Sequence, residues 1–62
     1  MLDPDYRAHI KARDLGFKET GGINWTWYVK PYSDCSVEDL EFAMFCHCHM
    51  DNEGNVAFRI HN

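Results

Sequence analysis

The chain has 62 residues, 10 acidic against 6 basic side chains for a formal charge of -4, and three cysteines. A chain this short buries only about 60% of the surface it exposes when unfolded, which leaves room for one domain over residues 1–62 and little scaffold for a deep substrate pocket. An odd cysteine count excludes a closed set of intrachain disulfides, no apolar run is long enough to cross a bilayer as a helix, and Met1–Asp5 lacks the basic start and apolar run of a signal peptide. A cytoplasmic protein is the expectation.

Two patterns compete over the first segment. Tyr6, Ala8, Ile10 and Ala12 alternate with Arg7, His9, Lys11 and Arg13, which predicts a strand with one apolar and one cationic face. Asp3 as N-cap, Pro4 at the first helical position and Gly16 as terminator instead describe a helix. The alternation favours the strand. The apolar parity then shifts at Leu15 and Phe17, which a bulge near Asp14 or Gly16 would absorb.

Glu19-Thr20-Gly21-Gly22 supplies a reversal, and Ile23, Trp25, Trp27 and Val29 alternate with Asn24, Thr26, Tyr28 and Lys30 in residues that favour strands. A hairpin is predicted here, with Trp25 and Trp27 on the core face. Pro31 ends the strand or places it at a sheet edge, and such a free edge would suit a homodimer.

Ser36-Val37-Glu38-Asp39 opens a helix, with Ser36 as N-cap and acids in the first turn; a short helix over residues 36–41 is predicted. Asn52-Glu53-Gly54 then fits a three-residue hairpin loop with Gly54 left-handed and Asp51 opposite Asn55. That register places Met50 opposite Val56, Cys48 opposite Phe58 and Cys46 opposite Ile60, an apolar face that a one-residue slip would destroy. The predicted fold is α+β and mostly antiparallel β: two hairpins forming a small sheet with one short helix, and an N-terminal segment whose alternative is helical.

Cys46-His47-Cys48-His49 offers four zinc-ligand types in succession, but on a strand neighbouring side chains point apart, whereas tetrahedral sites draw ligand pairs from turns or helix ends. Cys35, Cys46 and Cys48 with His61 or His9 would be the set if a metal were held. No cofactor is expected: buried cysteines acting as small hydrophobes and histidines acting as exposed polar strand residues are the favoured account. The same divergence separates each thiol from a neighbouring histidine base, so nothing implies a thiol enzyme.

The excess negative charge lies in the second half, where Asp34, Glu38, Asp39, Glu41, Asp51 and Glu53 face Arg59 alone. This points to a non-enzymatic protein-binding module, a small inhibitor or modulator. It would block a basic surface of a partner protein through Asp34, Glu38, Asp39 and Glu41, with Tyr28 or Tyr32 as aromatic anchor. Small inhibitors of viruses and mobile elements share this size and charge. The rival is a nucleic-acid-binding domain stacking bases on Trp25, Trp27, Tyr28 and Tyr32 beside an Arg7, Lys11 and Arg13 stripe; a zinc-stabilised domain is a third reading.

Overall fold

A computed structural model describes residues 3–62. Helix α1 spans Pro4–Asp14, so the first segment is a helix and not the strand its alternation favoured. The end chemistry decides it. Asp3 accepts a hydrogen bond from the Asp5 amide at 2.8 Å, Pro4 occupies the first turn, and Lys11 and Arg13 sit in the last turn, where cations complement the helix dipole. At the far end Gly16 lies at φ 88°, and the amides of Gly16 and Phe17 donate to the carbonyls of Arg13 and Ala12. This is a Schellman termination, so Gly16 closes a helix where a bulge was expected.

Strand β1 (Lys18–Thr20) and strand β2 (Trp25–Pro31) form the first hairpin, as the turn residues predict. A 3₁₀ turn over Tyr32–Asp34 leads to helix α2 (Val37–Phe45). Its start is a full capping box: the Ser36 hydroxyl accepts from the Asp39 amide and the Asp39 carboxylate accepts from the Ser36 amide. The helix continues four residues beyond the predicted end, because Leu40 and Ala43 extend its core-facing side. Strand β3 therefore holds only His49–Met50, before strand β4 (Asn55–His61).

The second hairpin has the predicted turn: Gly54 at φ 82°, the Asp51 amide bonded to the Asn55 carbonyl, and Met50 opposite Val56. The pairs Cys48 with Phe58 and Cys46 with Ile60 do not form, since both cysteines belong to the end of α2 and its exit.

The four strands make one antiparallel sheet in the order β1-β2-β4-β3, which with two helices gives the predicted α+β class. The path is helix, strand, strand, made twice. β2 and β4 are the central strands, each of seven residues, and Tyr28 pairs with Phe58 at the middle of their ladder. Pro31 ends β2 as predicted, but that strand is interior; the edges are the short β1 and β3.

The core lies on the helix side of the sheet. Tyr28 and Phe58 stack there at 5.6 Å between ring centroids, Phe17 and Phe42 meet Phe58 edge-on, and Ala12 and Ala43 bring the helices down onto them. Trp25 and Trp27 stand on the opposite face, the reverse of the parity predicted for β2. The inner positions Tyr28 and Lys30 are tolerated because α1 and α2 supply polar partners for them, leaving the tryptophans for the face without helices. Among the described residues no helix is long and apolar enough to cross a membrane.

Candidate functional site

The residues predicted to meet a partner separate into two groups. Asp34, Glu38, Glu41 and Tyr32 are exposed along the 3₁₀ turn and the outward side of α2. Asp39 and Tyr28 are not available, and both positions require correction.

Asp39 is 4% exposed and pairs with Lys30 at 2.6 Å. Its carboxyl is held below the usual carboxylate range, first by that Lys30 hydrogen bond and then by the Ser36 amide. Lys30 also donates to the Leu15 carbonyl at 2.8 Å, so one ammonium ties β2 to the start of α2 and the exit of α1. Asp39 thus caps a helix and neutralises a largely buried lysine. Tyr28 has no exposed surface, and its hydroxyl lies 2.6 Å from His9 Nδ1. The His9 Nε2–H donates to the His61 carbonyl at 3.0 Å, so both ring nitrogens are engaged, one by β4 and one by the tyrosine. Burial pushes the Tyr28 hydroxyl pKa upward, so it stays a donor.

The outward side of α2 carries residues that sequence reasoning missed. Val37, Met44 and Phe45 are 73%, 70% and 83% exposed. At 3.6 residues per turn they share one side with Glu38 and Glu41, while Asp39 and Ala43 face the core. The signal was present in the sequence: once Leu40 and Ala43 are assigned inward, Met44 and Phe45 must point out. Stopping the helix at residue 41 concealed it. Glu38 also reaches back to Lys11 at 3.5 Å, an exposed pair worth little.

Neither of the other sequence-predicted constellations assembles. Arg7, Lys11 and Arg13 do not form a stripe beside the tryptophans, because α1 lies across the sheet from them; Arg13 pairs with Glu19 at 3.1 Å. Cys35, Cys46 and Cys48 are free thiols packed against the core margin, and the described residues contain no group of three or more His, Cys, Asp or Glu that could hold a metal ion. Desolvation raises the Cys35 and Cys46 pKa values, which keeps both as weakly nucleophilic thiols.

A cavity of about 460 Å³ opens between the start of α1 and the ends of β2 and β4, with His9 in its wall. Both ring nitrogens of His9 are already engaged, so this wall presents no free base. The outward side of α2 presents exposed apolar side chains bordered by carboxylates.

No protein-family model matches the chain, and no curated protein and no solved structure matches it.

Proposed function

We propose that this is a non-enzymatic protein-binding module, a small inhibitor or modulator that docks the outward side of α2 on a basic, partly apolar surface of another protein. The observation that carries the reading is the exposure of Val37, Met44 and Phe45 on a nine-residue helix beside Glu38 and Glu41. Burying each such side chain in a partner contributes about 1.5–3 kcal/mol. The carboxylates would steer approach to a cationic surface and fix orientation. Tyr32, 54% exposed and just upstream of α2, replaces Tyr28 as the aromatic of this surface, with Asp34 beside it in the chain. The anchors are therefore Phe45 and Met44, and Glu38, Glu41 and Asp34 are the rim.

Affinity capture from the native host, with variants run in parallel, tests this. Phe45→Asp should abolish capture of the partner that the wild type retains. Glu41→Lys should slow association, and the wild-type on-rate should fall as salt rises. Both positions are exposed, so the fold and its circular dichroism should survive. A folded Phe45→Asp, Glu41→Lys double variant that captures the same partner as well as wild type would show that α2 is not the docking element.

A further inference from the structure

The face of the sheet without helices has its own chemistry. Strand parity places Trp25, Trp27, Lys18, His49, Arg59 and His61 on it, and none of the strand residues on this face is acidic. The nearest carboxylate in the register, Asp51, has its oxygens occupied by the Glu53 amide and by the amide and side chain of Asn55. Asp5, at the start of α1, reaches the rim of this face, where it lines a groove with Trp25, Arg59 and His61. In a chain of net charge -4, a strand face that carries aromatics and cations, and whose nearest carboxylate in the register, Asp51, is already bonded, is a segregation that solubility does not require.

Arg59 is the central feature. Its guanidinium lies 4.2 Å from the Trp25 ring centroid and 5.8 Å from that of Trp27, and it makes no ion pair among the described residues. His61 and His49 meet the two indoles edge-on and fix their orientation. The tryptophans are two residues apart on one strand, so their Cα atoms are about 6.8 Å apart, a spacing that lets successive unstacked bases each find a ring. A cleft of about 300 Å³ opens beside them, walled by Trp25, Trp27, Arg59, Cys46, His47 and His49. His47 in that wall is the one described non-glycine residue with positive φ, at 59°.

We propose that this face binds single-stranded nucleic acid, with bases stacking on Trp25 and Trp27 and phosphates meeting Arg59 and Lys18. Arg59 and the edge-on histidines cover part of each indole, and the tryptophans keep 36% and 37% exposure; unpaired bases can reach that remaining surface, whereas the bases of a duplex are already stacked. Charge complementarity selects an anionic strand over the basic protein surface sought by α2, so the two faces take different partners. The cationic partner of the tryptophans is Arg59 from β4, and not the α1 residues.

Both tryptophans of the chain lie on this face, so intrinsic fluorescence reads it directly. Titration with a short oligothymidylate should quench the emission saturably. With two phosphate contacts, each contributing a slope of about -0.7 in log affinity against log salt, a fourfold rise in salt should weaken binding about sevenfold. Arg59→Glu should weaken it by at least about tenfold, since it removes a phosphate contact and adds a repulsive charge. Arg7→Glu makes the same change in net charge on the exposed surface of α1, across the sheet, and should leave affinity within about twofold if only screened long-range charge is altered. Absence of quenching at low salt would overturn the proposal. So would equal losses in the Arg59 and Arg7 variants, which would mean non-specific charge attraction. If oligothymidylate has no effect while Trp25→Ala with Trp27→Ala abolishes capture of a protein, the face belongs to that protein and the proposal fails.

Discussion

The two helix-strand-strand halves of the molecule follow one path with opposite inner chemistry. At the centre of the sheet the first half contributes Thr26, Tyr28 and Lys30, and the second contributes Val56, Phe58 and Ile60. The second strand would be stable against almost any apolar layer. The first requires named partners, and several come from the other half: Lys30 bonds Asp39 of α2, and His9, which holds the Tyr28 hydroxyl, also bonds the His61 carbonyl. Asn62 completes the crossing by donating to the Gly22 carbonyl and accepting from the Thr26 hydroxyl. A repeated backbone path is thus held as one unit by polar bonds between unlike halves, while the apolar strand supplies bulk burial.

Removing the cross-half ion pair should have the largest effect. Lys30→Ala leaves the Asp39 carboxylate enclosed without its cation. Breaking a buried pair from one side costs about 3–5 kcal/mol; the Lys30 side chain keeps 17% exposure, so about 2–3 kcal/mol is expected here. A domain this small has a total stability of about 5 kcal/mol, and denaturant midpoints should register the loss clearly. The pH dependence identifies the cause. The folded Asp39 pKa lies below the unfolded value, so its contribution is complete above the ordinary carboxylate range and disappears as pH falls through the lowered folded value. Wild-type and Lys30→Ala stabilities should therefore converge in acid. A gap that stays constant from neutral pH to acid would assign the loss to packing.

The hydroxyl at the centre of the sheet comes next. Tyr28→Phe makes the first half resemble the second at the paired position Tyr28↔Phe58, while stranding His9 Nδ1 in a buried site. The cost should be about 1–2 kcal/mol, the penalty of one unsatisfied buried polar group, even though the ring and its stacking on Phe58 are retained. If Tyr28→Phe is neutral or stabilising, the polar layer is incidental and the two central strands are equivalent.

That polar layer also explains which parts of the fold the sequence reveals. Both hairpin turns and the start of α2 are legible because their determinants are local: Gly54 with Asp51 and Asn55, or Ser36 with Asp39 three residues on. The face parity of β2 is not local. Period-two alternation announces two faces without saying which is inward, and what brings Tyr28 inside is a partner 19 residues away. Residues 4–14 carry alternation and capping chemistry together, and the capping chemistry prevails: Asp3, Pro4 and Gly16 close a helix whose Ala12 and His9 then dock on the sheet. The repeated path is invisible because Thr26, Tyr28 and Lys30 share no residue with Val56, Phe58 and Ile60. At the candidate site, exposed acids were readable by type and position, Asp39 was misread because capping and burial coincide there, and Phe45 was missed with the end of its helix.

The smallest effects come from the two helix ends, which share one geometry built from different residues. Both terminate in Schellman bonds: Gly16 and Phe17 close on Arg13 and Ala12, and His47 and Cys48 close on Met44 and Ala43. The left-handed residue is Gly16 at φ 88° in one and His47 at φ 59° in the other. A Cβ at Gly16 would meet only Lys30 Nζ at 3.7 Å, an ordinary contact, so Gly16→Ala should cost about 1 kcal/mol through backbone conformation alone. The reverse change, His47→Gly, should stabilise by about 0.5–1 kcal/mol, because the left-handed conformation no longer opposes a side chain. His47 lines the cleft beside Trp25 and Trp27, so the same variant should bind oligothymidylate more weakly while melting at a higher temperature. Strain retained at a binding surface would produce that opposition. If His47→Gly is more stable and binds as well as wild type, the imidazole has no part in the cleft, and the helix end is merely a less favourable copy of the first.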